Sequence, residues 1–149
     1  MRVSSPSFLN GNAIPPQYTC DGIDVNPQLD IEDVPADAKS LALIVDDPDA
    51  VSGAWVHWLM WNIPPDTKII KEHTPAPGAV EGTTSYGKSG WEGPCPPSGV
   101  HRYFFRLYAL DTTVNLTVAA ERSELEKAME GHIVDMGELM GTYTRDGIH

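Results

Sequence analysis

The sequence is short of basic residues, short of cysteine, and without any apolar run long enough to cross a membrane. Ten Lys and Arg stand against 21 Asp and Glu, a formal net charge of −11. A surface of that sign repels phosphate backbones and excludes general nucleic-acid binding. No stretch approaches the roughly 20 apolar residues that a spanning helix needs, so no integral membrane segment is expected. The opening MRVSSPSFLNGN holds no apolar core of a secretory signal, which places the chain in the cytoplasm as an expectation. The two cysteines, Cys20 and Cys95, allow one disulfide at most, and in a reducing compartment both are expected as buried thiols. Close-spaced ligand pairs such as H-x-x-x-H or C-x-x-C are missing, so neither a metal nor a cofactor is predicted. The G-x-S-x-G elbow of serine hydrolases is missing too.

What remains is a globular composition, 41% apolar, in 149 residues. That length predicts a single domain over residues 1–149, able to bury roughly two-thirds of its unfolded surface. Thirteen Gly and thirteen Pro predict many turns and few long helices. Three segments read as strands: SLALIVDD (Ser40 to Asp47), WVHWLMWNI (Trp55 to Ile63) and HRYFFRLYAL (His101 to Leu110). Shorter strands are expected near Arg2 to Ser5, Leu29 to Ile31, Asn115 to Val118 and Gly141 to Arg145. One segment, ERSELEKAMEGHIV, reads as helix, with Leu125, Ala128 and Met129 on one face and Gly131 near its end. The Pro/Gly/Ser/Thr-rich span from Pro64 to Val100 is too long for an idle loop in a compact domain, which points to a functional or packed segment. The fold class is therefore mainly β.

Within that span, Gly82 to Ser89 (GTTSYGKS) satisfies the phosphate-loop pattern G-x-x-x-x-G-K-[ST]. A working phosphate loop needs a buried strand before it and a helix beginning at its Lys-Ser. Here EHTPAPGAVE precedes the match and GWEGPCPP follows it, and their prolines rule out both. Lys88 is predicted to be a solvated loop lysine.

Polar residues gather where the strong strands end. DDPDA closes the first, His57 lies in the second behind Trp55 at its start, and His101 and Tyr103 begin the third. Strand termini of an antiparallel sheet converge at one edge, so Asp47, Asp49, His57, His101 and Tyr103 are candidates for one site. Each also has a plain structural reading: an Asx turn for Asp47 before Pro48, a core histidine for His57, a core aromatic for Tyr103. Cys95, between Pro94 and Pro96, reads as a rigid wall rather than an activated thiol.

Taken in order, PPQYTCDGIDVNPQL, DDPDA, WVHWLMWNIP, GPCPPSGVHRYFFRLYALD and GTYTR resemble the phosphatidylethanolamine-binding protein family, also called Raf kinase inhibitor-like proteins, in its shorter prokaryotic branch. The resemblance covers nearly the whole chain. It implies a β-sandwich-like fold around a large antiparallel sheet with one or two short helices. It also implies a small pocket at the sheet edge for phosphate, acetate or a phosphorylated headgroup. Carried over by position, its ligand-binding residues are Asp47, Asp49, His57, Gly93, Cys95, Pro96, Pro97, His101 and Tyr103, and Trp55 joins them as the residue that opens its strand beside the pocket. A His held near Asp47 has its protonated form favoured, so the His pair is expected to offer N–H donors to an anion. One X-Pro bond of the pocket loop is expected to be cis. In the short branch Cys20 and Cys95 are expected close together, as a disulfide or redox switch.

The function these expectations describe is small-anion or phosphoryl-headgroup binding, with no catalytic residue and no cofactor. The candidate partners are the anion itself, another protein, and a second copy of the chain in a homodimer. Two alternatives remain open: a protease or kinase inhibitor acting through loops, and a hydrolase or lyase using His57, His101 and Asp47 on a small anionic substrate.

Overall fold

A computed structural model describes residues 1–145. Eight strands run in chain order: β1 (Arg2–Ser4), β2 (Leu29–Glu32), β3 (Ser40–Asp47), β4 (Trp55–Ile63), β5 (Ile69–Ile70), β6 (Val80–Glu81), β7 (His101–Leu110) and β8 (Ile133–Tyr143). One α-helix, α1 (Arg122–Met129), and a single 3-10 turn at Pro16–Tyr18 complete the elements. The strands form a three-stranded sheet, β1-β2-β5, and a five-stranded sheet, β6-β4-β3-β7-β8, with every pairing antiparallel. The mainly β, sandwich-like expectation holds.

Side chains alternate across a strand, so a strand covered on both faces is apolar throughout. That is why β3 reads as an unbroken run. Leu41, Leu43 and Val45 face a core shared with Val3, Leu29, Ile31 and Ile70 of the small sheet. Ala42 and Ile44 face the opposite way, into a second core closed by Leu125 and Met129 of α1. The helix begins with a capping box in which Glu121 and Glu124 satisfy each other's backbone N–H groups. It is pinned to the sheet by Arg122, whose Nη1 donates to the buried Asp46 at 2.6 Å.

The alternation breaks once where it matters for function. Val45 pairs with Trp58 and Asp46 pairs with Val56, so His57 has no partner across the β3–β4 ladder and forms a β-bulge. Val56 therefore joins the α1 core, Trp58 joins the other, and the extra residue between them is free to aim at the end of the sheet.

Three local expectations need correction. Asn115–Val118 forms no strand. The helix ends at Met129, close to Gly131 as expected, but Gly131 takes φ +77° and the chain then enters a long strand, β8, at Ile133. β8 is thus an eleven-residue strand, of which sequence patterning finds only the end. No peptide bond is cis among the described residues, so the expected cis proline of the pocket loop is trans. No helix is long and apolar enough to cross a membrane.

Candidate functional site

At the end of the large sheet, on the face of the sandwich core, lies a cavity of about 260 Å³. Asp47, Trp55, His57, Cys95, Pro96, Pro97, His101 and Tyr103 all line it, so eight of the ten candidate residues meet there. They converge because parity brings Asp47, His101 and Tyr103 to one face of β3 and β7, and the bulge adds His57 from β4.

Two buried histidines define the polar floor, and each is held through its Nδ1. His101 Nδ1 donates to Asp47 Oδ2 at 2.6 Å, with both residues buried. His57 Nδ1 lies on the Glu92 carbonyl oxygen at 2.5 Å, and a carbonyl can only accept, so this nitrogen carries the hydrogen. The Glu92 N–H returns a bond to the His57 carbonyl at 3.1 Å, which locks the pair together. In both rings Nε2 is the atom left for a ligand.

Burial pushes the His57 imidazole below the usual histidine range, against the raising influence of the Glu92 carbonyl and of Asp47. Burial thus favours the neutral form of His57, against the expectation that the charge of Asp47 would favour the protonated one. The linked stability has a definite sign: the folded state resists protonation, so stability is full above the unfolded histidine value near ~6.5 and falls as pH drops below it. Burial, followed by the charge of Asp47, pushes the Tyr103 hydroxyl well above its ordinary value, so it stays protonated.

The rest of the wall is aromatic and apolar. Trp55 meets Tyr86 edge-on at 5.3 Å, Tyr86 meets His57 at 5.8 Å, His57 meets Tyr103 at 5.3 Å, and Tyr103 stacks near His101 at 6.5 Å. Tyr86, Ala50, Val51 and Ser52 also line the cavity and are missed by sequence reasoning. The phosphate-loop match is indeed no nucleotide site: Gly82 to Ser89 folds on itself, with Thr84 N–H and Oγ1 both donating to the Lys88 carbonyl. Its one contribution is Tyr86, which its glycines carry to the cavity. Lys88 pairs with Glu92 at 3.0 Å and does not line the pocket.

Asp49 and Gly93 lie outside the lining. Asp49 receives three bonds from Arg102, from the backbone N–H and Nε at 2.9 Å and from Nη2 at 2.8 Å. The Arg102 hydrogen bonds hold its carboxyl down to about 2. It clamps the β3–β4 loop to the start of β7. Asp47 itself makes the expected Asx turn as well, its Oδ1 accepting the Asp49 N–H at 2.8 Å, while it also lines the cavity.

Gly93 supports the wall from behind. Its N–H donates to Asp24 Oδ1 at 2.9 Å and is not available to a ligand. Trp91 Nε1 donates to the Tyr18 carbonyl, Cys20 N–H donates to the Pro94 carbonyl, and Cys20 is joined to Cys95 by a disulfide. The cysteines are thus bonded and exposed, not buried thiols. A Cβ on Gly93 would overlap the Tyr18 carbonyl oxygen and the Asp24 carboxylate and stand 3.0 Å from Thr19 Cα. Gly93→Ala is expected to cost about 2–3 kcal/mol of stability, read as a lowered midpoint in urea, with an unchanged midpoint contradicting the close approach.

Among the described residues no group of three His, Cys, Asp or Glu side chains could hold a metal ion.

Comparison with known proteins agrees with this architecture. The family model for phosphatidylethanolamine-binding protein matches residues 4–144. A UPF0098 protein of Pyrococcus abyssi is 53% identical over 97% of this chain and 85% of its own length. One from Chlamydia muridarum is 41% identical over 98% of this chain and all of its own. A crystal structure of a phosphatidylethanolamine-binding protein homolog from Chlamydia trachomatis superposes with a TM-score of 0.94 at 40% identity, covering 97% of both chains. An Escherichia coli structure described as a new member of the mammalian family superposes at 0.90 with 26% identity, over 96% of this chain and 97% of its own. Matched along almost its whole length in sequence and in fold, the chain belongs to the phosphatidylethanolamine-binding protein family.

Proposed function

We propose that the cavity binds a small oxyanion, a phosphoryl or carboxylate group, and that the protein acts as a ligand-binding protein. The observation that carries this reading is the pair of buried imidazoles at one floor, each anchored through Nδ1 so that both Nε2 atoms remain for one ligand, with the protonated Tyr103 beside them. About 260 Å³ accommodates a phosphate or acetate with a short substituent and leaves the aromatic wall to pack against that substituent. Isothermal titration with inorganic phosphate and with acetate at pH 5.5 and pH 8 tests it. Saturable one-to-one binding is expected, stronger at the lower pH and at least about tenfold weaker in His101→Ala. No binding at either pH would sink the proposal.

A second reading draws on the His101–Asp47 bond, since a carboxylate that orients an imidazole is also how hydrolases prepare a base. It predicts release of p-nitrophenol from p-nitrophenyl phosphate, abolished by His101→Ala. A binding protein releases none.

The disulfide bears on location. Such bonds persist in oxidising compartments and inside hyperthermophilic archaea and bacteria. A cytoplasmic placement fits a cell of the latter kind, or a bond that forms transiently as a redox switch.

A further inference from the structure

We propose that His57 makes this pocket select oxyanions that bring their own hydrogen: free phosphate, or a phosphomonoester in its monoanionic form, over sulfate and over phosphodiesters. The inference rests on the anion-pocket reading and adds to it the protonation state of the ligand.

His57 offers a ligand only one of its two ring nitrogens. Its Nδ1–H is committed to the Glu92 carbonyl, and that carbonyl is fixed opposite it by the Glu92 N–H to His57 carbonyl bond. The ring cannot turn to present Nδ1 without breaking its bond to the Glu92 carbonyl. A neutral ring held this way presents at Nε2 a lone pair and no hydrogen. An oxyanion oxygen without hydrogen meets that lone pair with repulsion. An oxygen carrying hydrogen donates to it instead.

Protonating His57 would remove the conflict, but the surroundings oppose it. The residue is only 3% exposed, and burial outweighs every nearby negative group. Those groups are Asp46 and Asp47 on β3 and Glu92 on the loop. Each is already engaged: Asp46 with Arg106 and Arg122, Asp47 with His101, and Glu92 with Lys88. The other titratable faces toward the ring are the phenols of Tyr86 and Tyr103, both pushed up by burial and both neutral. Across the stack stands His101.

No fixed positive charge overrides this preference. Among the described residues that line the cavity, none is a lysine or an arginine. Pro96 and Pro97 bring no N–H, and the Gly93 N–H is committed to Asp24. A site built on an acceptor and not on a cation reads the hydrogen of its ligand, because a buried acceptor facing another acceptor is left unpaired.

The chemical classes then separate. Inorganic phosphate retains at least one P–OH at neutral pH. A phosphomonoester keeps one only below its second ionisation, near pH ~6. Sulfate, acetate and a phosphodiester have none at neutral pH, so they, and with them the headgroup of an intact phospholipid, are the weaker ligands and a free phosphate the stronger.

Isothermal titration of the wild-type protein at pH 7.5 with inorganic phosphate, sulfate, phenyl phosphate and dimethyl phosphate tests this. Inorganic phosphate is expected to bind at least about tenfold more tightly than sulfate or dimethyl phosphate. Phenyl phosphate is expected to gain affinity as pH falls through about 6, as its monoanion appears. In His57→Gln, whose amide can turn a donor toward the ligand, the phosphate-to-sulfate ratio is expected to fall toward one. Equal binding of phosphate and sulfate to the wild type would overturn the inference and leave the anion pocket standing. No binding of any of the four would overturn the pocket itself. A ratio unchanged in a folded His57→Gln would remove His57 from the account.

Discussion

Removing the Cys20–Cys95 disulfide, by reduction or in a Cys20→Ser/Cys95→Ser double variant, is expected to lower the unfolding free energy by about 3–4 kcal/mol and the melting temperature by roughly 10 °C. The bond joins residues 75 apart in sequence, so it removes a large share of the loop freedom of the unfolded chain. It is also the covalent member of a set of four ties between residues 18–24 and the pocket wall. The others are Trp91 to Tyr18, Gly93 to Asp24 and Cys20 to Pro94. Those three remain after reduction, so the wall is expected to loosen rather than unfold, with phosphate affinity falling less than stability does. Calorimetry with and without dithiothreitol reads the effect, and an unchanged melting temperature would contradict it.

Asp47→Ala carries the next largest expected effect, a loss of about 3 kcal/mol together with the loss of phosphate binding. Asp47 is 3% exposed and satisfies two donors at once, His101 Nδ1 through Oδ2 and the Asp49 N–H through Oδ1. Truncation leaves both unpaired in a buried place, and the His101 ring loses the contact that fixes its direction. Asp47→Asn separates the two roles. An asparagine can still accept from one donor, so it is expected to recover part of the stability while lacking the second carboxylate oxygen that the two donors need. Chemical denaturation gives the stability change and phosphate titration the binding. A variant as stable as the wild type would mean that these bonds do not hold the site together.

The parts of the fold that could be read from sequence are those in which physics acts locally. β3, β4 and β7 begin and end where expected, because β3 and β4 are buried on both faces and read as continuous apolar runs, and β7 alternates buried with more open residues, the mark of a strand with one open face. β8 was hidden by its own constraints. Gly137 packs against the Met1 backbone and Gly141 against Ile14 and Phe8, so glycines interrupt the pattern that would mark a strand. The two-residue strands β5 and β6 are too short to carry any pattern.

The site divides along the same line. The residues at strand ends could be found, since an antiparallel sheet gathers them. The bulge that turns His57 toward them could not, because it is a property of the pairing between β3 and β4 and not of either segment. Nor could the tautomer of His57, which is set by a carbonyl 35 residues away. Tyr86 carries no such signal: it lies in a Gly/Ser/Thr-rich loop with neither strand nor helix periodicity, and only the folded loop brings it to the cavity.

The central claim is that His57 and His101 jointly contact a bound oxyanion, and the most direct test is nitrogen-15 NMR of the histidine side chains during titration with inorganic phosphate. The account predicts that the Nε2 resonances of His57 and His101 move together and saturate at one equivalent of bound phosphate, while those of His73 and His132, outside this cavity, stay in place. Saturation with the His57 and His101 resonances unmoved, or with all four shifting alike, would contradict it.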